Sequence, residues 1–180
     1  EELEWVMEYK YLGVILDNRL CMNKHIESLK KRISARLNVM RAISGHQGGA
    51  SFHVLKTFYC AAVRSVIEYG NAALILASKT RLVDLDILQN NALRLIARAP
   101  RWTNISTLEH ATNIEPLNIR RINSNLKLLD KTLRDPSHPN HISLRSLFQN
   151  NLAGFVAKSW NSMAREMWRS SKLAIPPIEC

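Results

Sequence analysis

The 180-residue chain reads as a mainly α protein, with a short N-terminal β element followed by a bundle of five or six helices. Three observations predict this. After Lys24 apolar residues recur at three- and four-residue steps, the period of an amphipathic helix. Before it, residues 5–16 are rich in β-branched and aromatic types, the composition of strands. The longest purely apolar run, Ala72 to Ala77, falls far short of the roughly 20 residues that a membrane span needs. Hydrophobic residues at 46% and charged residues at 22% exclude wholesale disorder.

Residues 5–16 stop at the turn pair Asp17-Asn18 and predict one or two strands. From Lys24 the stripe Ile26, Leu29, Ile33, Leu37 and Met40 predicts a helix that stops near Gly45, with Lys24 and Lys31 pointing away and Lys30, Arg32, Arg36 and Arg41 flanking. Gly48-Gly49 reads as a helix-to-helix turn. The next segment, Ser51 to Tyr69, is apolar on most sides through Phe52, Leu55, Phe58, Tyr59, Ala62, Val63, Val66 and Ile67, and belongs in the core. A third helix, Arg81 to Arg98, turns Leu82, Leu85, Leu88, Ala92, Leu95 and Ile96 inward and Arg94 and Arg98 outward, ending before Pro100. Ser106 to Glu109 has capping-box spacing, and Pro116 precedes the stripe Leu117, Ile122, Leu126, Leu129 and Leu133. Two prolines in residues 135–142 predict a linker, and a last helix is expected from Ser143 to Met167 despite Gly154. The expected organisation is therefore 1–22, 23–134 and a tail, 135–180.

The net charge of +10 is uneven. Residues 1–23 carry −3, residues 24–101 carry +9 and residues 102–180 carry +4. A basic region spread over several helices is the footprint of phosphate-backbone binding, though a solvated basic face that keeps a protein soluble has the same composition. Three widely spaced cysteines, Cys21, Cys60 and Cys180, argue against a disulfide framework and for a reducing compartment, nucleus or cytoplasm. The start, Glu1-Glu2-Leu3-Glu4, has neither a methionine nor a signal-peptide pattern, so a fragment is expected.

No residue pattern carries catalysis. Asp84 and Asp86 stand two apart on a helix and cannot face one metal together, which leaves them as a solvated helix start. Cys21 with His25, and His138 with His141, each make half of a zinc site without the other half, so a buried cysteine and loop histidines are the expected roles. A nucleophile elbow and a glycine-rich phosphate loop are both missing from the sequence.

Four stretches, in order and at matching spacing, carry more information than composition. Lys10-Tyr-Leu-Gly-Val-Ile-Leu-Asp17 with His25-Ile26 resembles the motif closing the palm of reverse transcriptases from non-LTR retrotransposons, the LINE or jockey-like elements. Val63 to Gly70, Leu88 to Ile96 and Ile114 to Arg121 resemble successive helix signatures of the thumb in the same family. The resemblance covers residues 8–125. It implies an RNA-directed DNA polymerase whose RNA template and DNA primer form the hybrid gripped by this segment. Its metal-binding aspartates, and with them the magnesium ions, would lie upstream of Glu1, so this chain alone would hold no cofactor and perform no nucleotidyl transfer.

The resemblance further implies that Tyr11, Leu12 and Gly13 form the primer grip, where glycine lets backbone approach the primer terminus. A bulge or bend in a strand would equally use Gly13. Lys24, Lys30, Lys31, Arg36, Arg94, Arg98 and Arg101 are the expected phosphate contacts. Two rival readings differ in class. A non-catalytic helical interaction module would leave the four ordered signatures unexplained, and a membrane-surface helix would place Trp or Phe on the apolar face of residues 24–44, which has neither.

Overall fold

The computed structural model describes residues 5–45, 48–149 and 160–171. The protein is mainly helical, with one small sheet at its N-terminus, as the periodicities predict. Strands β1 (Glu8–Tyr11) and β2 (Val14–Asp17) pair antiparallel, with Tyr11 opposite Val14, so Leu12 and Gly13 alone make the turn. Both turn residues have positive φ, 45° at Leu12 and 83° at Gly13. That is the two-residue hairpin geometry whose twist matches the flanking strands, and glycine meets it without steric cost. The break at Gly13 is thus a hairpin turn and not a bulge.

The helices follow as α1 (Asn23–Ile43), α2 (Phe52–Phe58), a π-helical stretch (Tyr59–Arg64), α3 (Ser65–Glu68), α4 (Asn71–Leu74), α5 (Lys79–Ala97), α6 (Ile105–Thr112), α7 (Leu117–Arg134), α8 (His141–Gln149) and α9 (Trp160–Ser170). The predicted helix over Ser51 to Tyr69 is present as the abutting run α2, π-stretch and α3. Widening the turn at Tyr59–Arg64 inserts a residue into the α-helical repeat. Of the side chains expected inside, Leu55, Tyr59, Val63, Val66 and Ile67 are buried, Phe58 and Ala62 are half-buried and Phe52 is exposed.

The chain divides into two compact units, one comprising the residues up to Gly70 with Ala77–Ile119, the other Asn71–Leu76 with the residues from Arg120 on. In the first unit α1 buries Ile26, Leu29, Ile33, Leu37 and Met40, the stripe its spacing predicts, and adds His25. It packs along α5, on α3 and against β2. Helix α5 is capped by Ser78, whose side chain accepts from the Arg81 N–H, and buries Leu85, Gln89, Ala92, Leu93 and Ile96. The predicted inward face is therefore rotated: Leu82, Leu88 and Leu95 are only half-buried. Gln89 takes a core position because both ends of its amide are satisfied. Its Oε1 accepts from the Tyr59 hydroxyl, and its Nε2 donates to the Glu115 carbonyl at 3.1 Å. A buried amide without such partners would cost about 1–3 kcal/mol. The capping box expected at Ser106 is displaced by Asn104, whose side chain accepts from the Ser106 N–H at 2.9 Å and starts α6 two residues earlier in register.

The second unit has its own small core of Leu129, Leu133, Leu144, Ala164 and Trp168, with Ile75 and Leu126 packed on it. Along α7 the buried face includes the polar residues Arg121, Asn125 and Thr132, whereas Ile122, expected inside, is exposed. Asn125 Nδ2 and the Thr132 hydroxyl donate back to the carbonyls of Arg121 and Leu128, while Asn125 Oδ1 is buried without a hydrogen-bond partner. His141, expected in a loop, opens α8 and is buried, with its Nδ1 3.0 Å from the Thr132 carbonyl. The single helix expected from Ser143 to Met167 is represented by α8 and α9; residues 150–159 lie outside those described.

Candidate nucleic-acid interface

Two features of the first unit gather the predicted site residues, the hairpin tip and a basic cleft at one end of the α1–α5 pair. At the tip Tyr11 and Leu12 are exposed, Leu12 by 72%. The turn is anchored from behind: the Tyr69 hydroxyl donates to the Leu12 carbonyl, and the same ring stands 3.3 Å from where a Cβ on Gly13 would lie. One residue further, Gly70 at φ +78° brings its Cα so near β2 that an added Cβ would meet Val14 Cγ2 at 3.1 Å. Beside it the Ile15 N–H donates to His25 Nδ1 at 3.4 Å. Since Nδ1 accepts, the neutral ring carries its proton on Nε2, which is buried without a hydrogen-bond partner. Burial first, and the Arg32 guanidinium second, push the His25 pKa below its usual 6.5.

Helices α1 and α5 run in the same direction. Lys30 Nζ meets Asp84 Oδ2 at 3.0 Å at one level, and Arg41 lines a common cleft with Arg94 and Arg98 further along both helices. Their C-terminal ends therefore lie together, and the negative ends of two helix dipoles favour cations there. The cleft has a volume of about 480 Å3 and is lined by Arg41, Ser44, Gly45, Arg94, Leu95, Arg98 and Ala99. Arg98 caps α5 in the left-handed region, φ 50°, and its Nη2 donates to the Ala50 carbonyl at 3.3 Å. Arg41 Nη1 donates to Asn38 Oδ1 at 2.7 Å. Arg94 is half-buried, with its Nε shut off from solvent and without a partner. Three guanidiniums around one cleft offer donors of the kind that bind an anion such as a phosphate.

The seven predicted phosphate contacts separate in the structure. Arg94 and Arg98 come together in the cleft, where the structure adds Arg41, which lay on the flank of the α1 stripe but was not among the expected contacts. Lys31 and Arg101 are exposed. Arg36 is half-buried and donates to the Arg32 carbonyl at 3.1 Å. Lys24 reaches Glu8 at 3.6 Å, and Lys30 is held by Asp84. Asp84, expected as a solvated helix-start residue, is thus a partner of Lys30. Only the packing of α5 on α1 reveals the Lys30–Asp84 pairing. Trp102 also escaped notice in the sequence: it is 87% exposed in the turn between α5 and α6, which the Thr103 N–H closes on the Pro100 carbonyl at 3.2 Å.

The described residues do not fit a magnesium pair. Among the described residues no group of three or more His, Cys, Asp and Glu side chains could hold a metal ion, and the Asp84 carboxylate already faces an ammonium. Among them, too, no helix is long and apolar enough to cross a membrane.

Fold and cleft together give a helical chain with a cluster of arginines at one end of the α1–α5 pair. Its relatives are more specific. The chain is 29% identical over 140 residues, 77% of its length, to the RNA-directed DNA polymerase from mobile element jockey of Drosophila funebris. It is 27% identical over 118 residues, 63% of its length, to a probable RNA-directed DNA polymerase from transposon BS of Drosophila melanogaster, and 24% identical over 135 residues, 75% of its length, to the jockey polymerase of that species. It spans only 13–15% of these relatives. The chain is thus related to the reverse transcriptases of non-LTR, jockey-like elements, as its four signatures suggested. No family model matches it, and neither does any solved structure.

Proposed function

We propose that this chain is the C-terminal part of the polymerase region of a non-LTR reverse transcriptase, with the hairpin closing the palm and the helices from α1 forming a thumb on the RNA–DNA hybrid. In this reading Tyr11, Leu12 and Gly13 face the primer, and the magnesium-binding carboxylates belong to the remainder of the polymerase. The observation that carries the reading is the meeting of Arg41, Arg94 and Arg98 in one cleft, within a chain related to RNA-directed DNA polymerases over most of its length. Contacts of this kind are made to phosphates and read the shape of the duplex, not its bases.

The test is binding of the purified chain to an RNA–DNA hybrid across a salt series. Each phosphate neutralised adds close to one unit to the slope of log affinity against log salt, so Arg94→Ala with Arg98→Ala should flatten that slope by roughly one to two units. A folded double variant with unchanged affinity and slope overturns the reading, and binding insensitive to salt throughout favours a protein-interaction module.

A further inference from the structure

The loop that leaves α5 holds a side chain the thumb reading does not use. Trp102 is 87% exposed, follows the exposed Arg101, and lies four residues past Arg98, which lines the basic cleft. An exposed indole most often marks a contact surface, because leaving so large an apolar face in water forgoes a burial worth about 1.5–3 kcal/mol or more. Two kinds of contact divide on what surrounds the ring. A protein-docking tryptophan sits in an apolar patch depleted of charge. Here the loop 98–104 reads Arg-Ala-Pro-Arg-Trp-Thr-Asn, with two arginines and no second large apolar residue. An aromatic ring flanked by cations is instead the pairing that holds single-stranded nucleic acid, with a base on the ring and the neighbouring phosphates on the cations.

From this we infer that the cleft of Arg41, Arg94 and Arg98 together with Trp102 is a site for an unpaired nucleotide segment: phosphate in the cleft, the adjoining base stacked on the indole. The inference rests on the reading that this basic end meets nucleic acid, and it narrows the ligand. Within a duplex or hybrid each base face is covered by the next pair, so Trp102 has no face to take. Only an unpaired base offers one. Arg94 is half-buried and lines the cleft, while the exposed Arg101, next to Trp102 in the chain, is free to follow the next phosphate.

The experiment compares the purified chain and its Trp102→Ala and Trp102→Phe variants on a short single-stranded oligodeoxynucleotide, on the same strand lacking its bases, and on an RNA–DNA hybrid of equal length. Stacking one base contributes about 1–3 kcal/mol, which is roughly a 5- to 150-fold change in affinity. Trp102→Ala should weaken single-strand binding within that range, Trp102→Phe should retain most of it, and neither should move hybrid binding. The strand without bases should bind wild type and Trp102→Ala alike. Equal single-strand affinity in wild type and Trp102→Ala overturns the inference, as does an equal loss on strand and hybrid. Hybrid binding without single-strand binding overturns the inference but leaves the thumb reading standing; single-strand binding through Trp102 without hybrid binding does the reverse. Loss in Trp102→Ala of binding to anionic vesicles, or of self-association, with oligonucleotide affinity unchanged, would assign the indole to a membrane or to a second copy.

Discussion

The Tyr69 hydroxyl donates to the backbone carbonyl of Leu12, 57 residues earlier in the chain. With that bond the end of α3 holds the tip of the β1–β2 hairpin. It also joins two of the four signatures by which the sequence resembles reverse transcriptases, the stretch ending at Asp17 and the stretch ending at Gly70. A second bond, from Gln89 Nε2 to the Glu115 carbonyl, joins the other two. The signatures are thus the points where the first unit is tied together, and any role of the hairpin tip toward a ligand depends on those ties.

Tyr69→Phe should destabilise the protein by about 0.5–1.5 kcal/mol, the usual net contribution of one hydrogen bond, and toward the low end because Tyr69 is half-exposed. The effect should be local. Amide exchange at Gly13 and Val14 should accelerate more than exchange in α5, and uniform acceleration through both elements would rule out a specific anchor.

Gly70 and Gly48 both have positive φ, but only Gly70 has a neighbour in the way of a Cβ, Val14 Cγ2 at 3.1 Å; Gly48 has nothing within 4 Å. Alanine at Gly48 should therefore cost only the left-handed backbone penalty, about 1 kcal/mol. Alanine at Gly70 should cost that penalty and also push the hairpin, giving a larger loss in urea unfolding. Equal losses would mean that the contact with Val14 yields freely.

Stability should fall on acidification through His25. Its folded-state pKa is lowered below 6.5 by burial and by Arg32, so above pH 6.5 both folded and unfolded chains hold it neutral and no dependence arises. Below pH 6.5 the unfolded chain takes up a proton that the folded chain resists, and each further step down favours unfolding. His25→Gln removes the titration while keeping a polar side chain at the Ile15 N–H. Wild type should lose stability more steeply than this variant between about pH 6.5 and 5; parallel curves in that window would sink the assignment.

Asp84→Asn should leave stability nearly unchanged, since the Lys30–Asp84 pair is partly exposed and such pairs contribute about 0–1 kcal/mol. It should, however, release Lys30 and raise the net positive charge of the α1–α5 face. Affinity for an RNA–DNA hybrid should rise a few-fold at low salt, with the salt slope steeper by up to about one unit. Unaltered binding would place Lys30 away from the nucleic acid.

Much of this protein is determined by sequence alone, because local rules act on residues near one another in the chain. The α1 stripe from Ile26 to Met40, the strand composition of residues 5–16 and the helix break before Pro100 follow from periodicity, β-propensity and backbone sterics, and the surplus of charge between residues 24 and 101 is a plain count. The resemblance to reverse transcriptases was legible too, since four signatures in order survive even where identity is low. What only the tertiary structure decided depends on long-range neighbours. Spacing on α5 could not show that Gln89 is buried, because its partners Tyr59 and Glu115 come from other elements. Nor could a count of arginines separate Lys30, neutralised by Asp84, from Arg41, brought to Arg94 and Arg98 by the parallel course of two helices. The π-helical turn at Tyr59–Arg64 belongs with these: it adds one residue to the helical repeat, and the apolar pattern carries no mark of it.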